Sequence, residues 1–328
     1  MWFAVRSLAV SQRELSFLGV LVGTCLVVPQ AGAQAVYDGF GYVGDGHIPT
    51  MQEHIDATGP SVASAASLGS VGEDGAVQHA VSIETPGALV SPSVSLQYAS
   101  GGGHASWMSE GWTLSVGASI SRPSRAQEAG VYADLGDVWM YSGPGGSGAM
   151  VQGTSGEWHL RAGGAMVTAD YDAATRVWTV TDGALTLELS PRVTADWSAL
   201  GIEPRSFRID RMTDVSGNEV TYAYSSDRID TIEFGQNVHD ATLYPATGRI
   251  QFVWESLPAT TTTERARISQ SWSEGVAEVY DHRLSEVRVS ARKIVGHTWK
   301  PYLSYLLAYE DDTQERAPRL VGVDLVGR

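Results

Sequence analysis

Hydrophobic residues recur along this chain at every second position, in short runs separated by Gly, Asp, Asn and Ser. A period of two puts alternate side chains on one face of an extended strand. The clearest instance is residues 207–234, FRIDRMTDVSGNEVTYAYSSDRIDTIEF. Residues 209–212 are a brief apolar–polar run, and Asp214-Val-Ser-Gly-Asn218 is a turn. Val220, Tyr222 and Tyr224 then alternate with Glu219, Thr221 and Ala223, and Ser225-Ser-Asp227 turns the chain again. Gly217 and Asn218 tolerate positive φ, and Asp214 is placed to bond the backbone two residues on. The tract predicts a three-stranded meander. A calcium ion at Asp214, Ser216 and Asn218 would need further acidic ligands that the following residues do not supply.

The same grammar extends in both directions. Val94, Leu96 and Tyr98 alternate with polar residues until Ser100-Gly-Gly-Gly103 breaks the run, and Trp112, Leu114, Val116, Ala118 and Ile120 alternate without a gap. Further short strands are predicted at 138–141, 158–161, 177–181, 185–189, 250–254, 287–289, 305–309 and 321–325. Only residues 265–277 leave room for partial helix. The strands stand too close together for crossover helices, so the fold is all-β, with mainly antiparallel meander and hairpin sheets.

Composition narrows the partners. The 328 residues carry 22 Lys and Arg against 37 Asp and Glu, a net charge of −15, which argues against nucleic acid or an anionic membrane surface. At the N-terminus, Arg6 and Arg13 precede an apolar run at 17–28 that is short for a membrane span, and Ala31-Gly-Ala33 follows. Residues 1–33 read as a secretory signal peptide, 34–75 as a flexible Gly/Ala/Ser-rich linker and 76–328 as the all-β domain. Cys25, the one cysteine, falls inside the signal, so the mature chain is expected to have no disulfide and no thiol chemistry. His47 and His54 lie near Asp45, Glu53 and Asp56, but without the ligand spacing of a metal cage.

Candidate chemistry is sparse. Gly101-Gly-Gly103 and Gly143-Pro-Gly-Gly146 lack the strand-to-helix context of a phosphate loop, and no G-x-S-x-G or H-E-x-x-H motif occurs. Asp281 and His282, read as strand neighbours, would point to opposite faces and form no dyad. Asp170 and Asp172 share a face and are a candidate carboxylate pair for a β-fold glycoside hydrolase, although Tyr171 and Ala173-Ala174 favour a turn. Trp107, Trp112, Trp139, Trp158 and Trp178 would serve either as core or as a sugar-stacking platform in a carbohydrate-binding or adhesive module. Trp107, beside the glycine run, is the most exposed candidate. The remaining signals are structural, at Gly101, Gly102, Gly103, Gly111, Trp112, Asp214, Gly217, Asn218, Arg283 and Leu284. No catalytic residue, metal ligand or cofactor is expected.

The landmarks occur in a telling order: Val94-Ser-Leu-Gln-Tyr98-Ala-Ser-Gly-Gly, Glu110-Gly-Trp112-Thr-Leu114, Ile120-Ser-Arg122, Asp137-Val-Trp-Met-Tyr-Ser-Gly143, and Met212-Thr-Asp-Val-Ser-Gly-Asn218 with Tyr222 and Tyr224. Ile250-Gln-Phe-Val-Trp-Glu255, Arg283-Leu-Ser-Glu-Val287, 305–309 and Arg319-Leu-Val321 follow. Over residues 76–328 this series resembles the N-terminal domain of the SpvB family. That domain also begins the B component of bacterial insecticidal toxin complexes, and is related in style to Rhs/YD-repeat shell proteins. The resemblance departs at 106–110, which lack the usual glycines, and at 256–263, where acidic and arginine residues are replaced. It implies a non-catalytic scaffold that helps enclose or present a C-terminal effector. Its partners would be further β-domains of the same or a partner toxin-complex protein, outside the cell or at its surface, with no membrane insertion by the mature chain. The family's ADP-ribosyltransferase activity resides in a separate C-terminal domain whose Glu-x-Glu loop has no match here.

Overall fold

A computed structural model of the chain describes residues 70–71, 77–100, 107–109, 111–122, 138–161, 167–192, 204, 206–257, 270–273, 276–279, 281–292, 298–310 and 319–327. The signal segment 1–33, most of the linker and Gly101, Gly102 and Gly103 lie outside the described residues. The described residues form strands and turns, and the expectation of an all-β, antiparallel fold is met. A small sheet pairs β1 (Ser70–Val71), β2 (Val77–Ser82), β3 (Val94–Ala99) and β4 (Trp112–Val116) in that order. β1 falls within the segment read as linker.

The second sheet begins as a barrel. β5 (Ser119–Ser121), β6 (Met140–Gly143), β7 (Gly146–Gln152), β8 (Trp158–Leu160), β9 (Val167–Asp172), β10 (Val177–Asp182) and β11 (Leu185–Pro191) pair successively, each antiparallel to the next along the β6–β11 run. β12 (Ser206–Asp214) pairs with both β11 and β5, closing eight strands into a ring. From β12 the sheet continues as an open meander through β13 (Asn218–Ser225), β14 (Arg228–Asn237), β15 (Gly248–Ser256), β18 (His282–Ala291), β19 (Lys300–Glu310) and β20 (Arg319–Gly327). β16 (Gln270–Ser273) and β17 (Val276–Val279) make a separate hairpin in register Trp272↔Ala277, so residues 270–273 are strand where partial helix was expected.

β12 serves two structures because its register shifts. One edge carries β11, while the other carries β5 at Ser206 to Arg208 and β13 at Arg211 to Thr213. Between these halves Glu188 opposes Arg211 and Leu189 opposes Ile209, leaving Asp210 with no opposite residue. Such a bulge bends a strand and increases its twist. The first half of β12 therefore closes the barrel, and the second half starts the open sheet.

The sequence alternates unbroken through Trp112 and Ile120, but the structure splits this run. β4 ends at Val116 and β5 begins at Ser119, with Gly117 at φ +59° between them. A Cβ at Gly117 would sit 3.0 Å from both the Tyr222 hydroxyl and Ile209 Cγ2. Only glycine permits that hand-over from the small sheet to the barrel. The small sheet is also tied to the open one, where the Glu84 amide donates to Tyr305 Oη at 2.8 Å.

The barrel is filled with aromatic side chains. Trp178, 1% exposed, meets Tyr171 at 4.9 Å, Trp139 at 5.4 Å, Trp158 at 5.8 Å and Phe207 at 6.1 Å. Tyr171 and Trp178 are register partners on β9 and β10, Trp158 stands on the next strand β8, and Trp139 and Phe207 join them from beside β6 and from β12. Eight strands leave an interior just wide enough for side chains, and these rings pack there in the tilted and edge-to-face arrangements that aromatic pairs prefer.

Candidate functional site

The turn after β12 closes on itself. Asp214 Oδ1 accepts from the amides of Ser216 at 2.9 Å and Asn218 at 2.8 Å, and Oδ2 accepts from Asn218 Nδ2 at 2.8 Å. From the end of β14, Asn237 Nδ2 donates to Ser216 O at 3.0 Å and Asn218 Oδ1 at 3.2 Å. Gly217 sits at φ +81°, and a Cβ there would fall 2.6 Å from His239 Cδ2. Burial acts to raise the Asp214 pKa, but the bonds from Asn218, Ser216 and Gly217 outweigh it and hold the carboxyl below the usual range. Both of its oxygens face N–H donors. That is the reverse of a calcium cage, where oxygens converge on the ion.

Other structural residues also have definite tasks. Gly111, at φ +77°, passes so close beneath β3 that a Cβ would lie 2.7 Å from Ala99 O. Trp112 then packs on Tyr98 at 5.4 Å and edge-on to His79 at 6.3 Å. Arg283 pairs with Glu255 and lies 4.5 Å over the Tyr309 ring. Tyr309 Oη donates to Leu284 O at 2.6 Å, and the Leu284 amide donates to Trp107 O at 2.9 Å. Arg283 and Leu284 thus join β15, β19 and the Trp107 segment to one point on β18.

The residues considered for sugar chemistry are committed elsewhere. Asp170 and Asp172 share the exposed face of β9, but Asp172 accepts from the Ala174 amide at 2.9 Å and Thr175 Oγ1 at 2.7 Å, fixing the β9–β10 turn. Trp139, Trp158 and Trp178 lie in the barrel core. Trp107 is half-buried, edge-on to Trp254 at 5.7 Å with the Arg228 guanidinium 5.8 Å from its ring, so it is not an open platform. At Gly143-Pro-Gly-Gly146 the Gly145 amide donates to Asp182 Oδ2 at 2.7 Å. Tyr141 Oη donates to the same oxygen at 2.6 Å, and burial followed by Asp182 pushes the Tyr141 hydroxyl well above its ordinary range. An amide that would face a phosphate is thus already bound to a carboxylate.

One arrangement escaped the sequence reading. An open groove of about 350 Å³ runs over β14, β15 and β18, lined by Arg228, Phe252, Trp254, His282 and Arg288 among others. Of the lining residues, His282 is the register partner of Ser256, whose Oγ lies 3.1 Å from His282 Nε2. His282 Nδ1 lies 2.6 Å from Asp281 Oδ1. The expectation that Asp281 and His282 form no dyad is therefore overturned. β18 begins at His282, so Asp281 stands outside the strand, strand alternation does not govern it, and its carboxylate folds back on the ring. The bond from His282 is the main cause holding the Asp281 carboxyl below its usual range. No local motif announces this trio, because Ser256 reaches it through strand pairing.

This fold, a closed eight-stranded antiparallel barrel continuing into an open meander sheet, is shared with solved structures of an effector N-terminal domain and of toxin-complex chains. Among solved structures, the N-terminal domain of effector protein SpvB from Salmonella typhimurium strain LT2 matches with a TM-score of 0.56 at 14% identity, over 80% of this chain and 99% of that one. The TcdB2–TccC3 structure matches with a TM-score of 0.58 at 14% identity, over 78% of this chain, which spans 15% of that one's length. The Photorhabdus luminescens Tc holotoxin pore gives 0.54 at 14% identity, over 76% and 14%. At such identity the likeness is one of fold, and at that level the resemblance drawn from the landmarks holds. No family model matches the sequence, and no curated protein matches it.

Proposed function

We propose that this chain is a structural segment of a toxin-related β-shell, in a shell role that needs no catalysis, helping to enclose or present an effector carried elsewhere in the same chain or by a partner. The role is one of shape. It is exercised after export, outside the cell or at its surface, against further β-domains and not against nucleic acid or lipid. The observation that carries this reading is the open end of the meander. β20, nine residues long, pairs with β19 on one edge and with no other strand among the described residues. Val326 on β20 is 46% exposed and Leu306 on β19 is 40% exposed. A long edge of unpaired backbone groups with apolar side chains is a template for another strand. The fold likeness to chains of toxin complexes supports the same reading.

A photo-reactive residue at Val326, with the same residue at the exposed Val215 as control, tests it in the cells that make the protein. Adducts at Val326 with another β-domain or a second copy are expected. Equal yields at the two positions, or none at either, would overturn the assignment.

A further inference from the structure

We propose that Ser256, His282 and Asp281 form a nucleophilic serine site that takes acyl groups from carboxylic esters at the groove beside Trp254. The inference goes beyond the shell role and does not depend on it.

Atom order is the first argument. Ser256 Oγ meets His282 at Nε2, 3.1 Å away, while Asp281 Oδ1 meets the other ring nitrogen, Nδ1, at 2.6 Å. An ionised Asp281 only accepts, so Nδ1 carries the proton and Nε2 presents its lone pair to the serine hydroxyl. This is the nucleophile–base–orienter chain that activates a serine, and it is recognised by geometry and not by sequence position.

Rigidity is the second argument. Ser256 ends β15, His282 begins β18, and the two stand directly opposite in register. Facing residues of an antiparallel pair project to one face. Asp281 is fixed in turn by its carbonyl, which accepts from the Leu257 amide at 2.9 Å. All three residues are thereby held by one strand pair.

Access and charge are the third. Ser256 is exposed and the His282 side chain is 24% exposed, so an ester reaches both. The groove beside them offers the half-buried, apolar Trp254 together with the cationic Arg228 and with Arg288, which pairs with Glu286. Arg228 also contributes to keeping Asp281 ionised. The substrate class is an ester with an apolar acyl body.

The chemistry balances without a cofactor. Ser256 Oγ attacks the carbonyl carbon as its proton passes to His282 Nε2, and the carbonyl π electrons move onto oxygen. Collapse breaks the bond to the alkoxy group, which leaves with the proton from Nε2. Water, deprotonated by His282 in the same way, then releases the acid and regenerates Ser256. Ser256 and His282 are the catalytic residues, and Asp281 is a positioning residue.

The test uses the full chain, a fluorophosphonate probe and mass-spectrometric mapping of the label, with p-nitrophenyl acetate for acyl turnover. Labelling is expected on Ser256, at least about tenfold faster than on the same protein unfolded or on Ser225, which also lines the groove, because a positioned base is worth at least that factor. Ser256→Ala should abolish both signals. His282→Gln should lower labelling about a hundredfold. Asp281→Asn should lower it with an unchanged unfolding midpoint, and Asp281→Glu should restore part. Labelling that matches unfolded protein, spreads over many serines or is indifferent to His282→Gln would leave a surface hydrogen-bond chain only and overturn the proposal. None of these outcomes bears on the Val326 cross-link.

Discussion

Ile120 and Phe207 stand opposite one another across the β5–β12 pair, and with that pairing the barrel closes. Ile120 is 0% exposed and Phe207 1% exposed. Phe207 also contacts Trp139 at 5.7 Å and Tyr171 at 5.8 Å, so one residue links the closing seam to the aromatic core. Phe207→Ala should cost about 3–5 kcal/mol, the usual range for deleting a buried phenylalanine. Denaturant unfolding measures it, and a loss under about 1 kcal/mol would mean that the core does not depend on the seam.

Gly217→Val should destabilise by about 1–3 kcal/mol, the cost of forcing a side chain into a left-handed turn. Both the φ of +81° and the clash with His239 point that way. Gly217→Asn should cost less, since asparagine tolerates that backbone region better. Equal unfolding midpoints for wild type and the valine variant would show that the turn accommodates a Cβ.

Alkali should unfold this protein more readily than a chain of this size with exposed tyrosines. Burial is the leading cause raising the hydroxyls of Tyr141, Tyr222, Tyr224, Tyr305 and Tyr309, with Tyr305 pushed up to about 12. In the unfolded chain tyrosine ionises near pH ~10. Above that pH the folded state binds more protons than the unfolded one, so the stability present below pH ~10 falls as pH rises. The sign reverses for Asp214, whose lowered pKa gives stability that is lost as pH falls through the carboxylate range. Thermal midpoints across pH, read with phenolate absorbance, check both limbs. Phenolate appearing at ordinary pH while the chain stays folded would contradict the first.

Much of the fold was legible because it rests on local rules. The meander at 207–234 appears as β12, β13 and β14, and the Asp214, Gly217 and Asn218 turn follows from the conformational habits of those residues. Closure of the barrel was not legible, since it depends on β5 meeting a strand far along the chain and on a bulge at Asp210 that no periodicity marks. Gly117 was hidden for a related reason, as alternation continues through it while the backbone turns. The trio of Ser256, His282 and Asp281 was missed because alternation was extended one residue past the start of β18. Trp107 was misjudged because the sequence does not show Trp254 beside it.

The shell role proposed for this chain requires that the open sheet be continued by another β-surface. Among the described residues β20 pairs with no strand on its outer edge, and an unpaired edge associates with whatever strand is available, including a second copy. Sedimentation and denaturant unfolding of the purified chain over about a hundredfold range of concentration test this directly, since association stabilises by mass action. Species larger than a monomer and an unfolding midpoint that rises with concentration are expected. A monodisperse monomer with cooperative, concentration-independent unfolding would contradict it and make the chain a self-contained module.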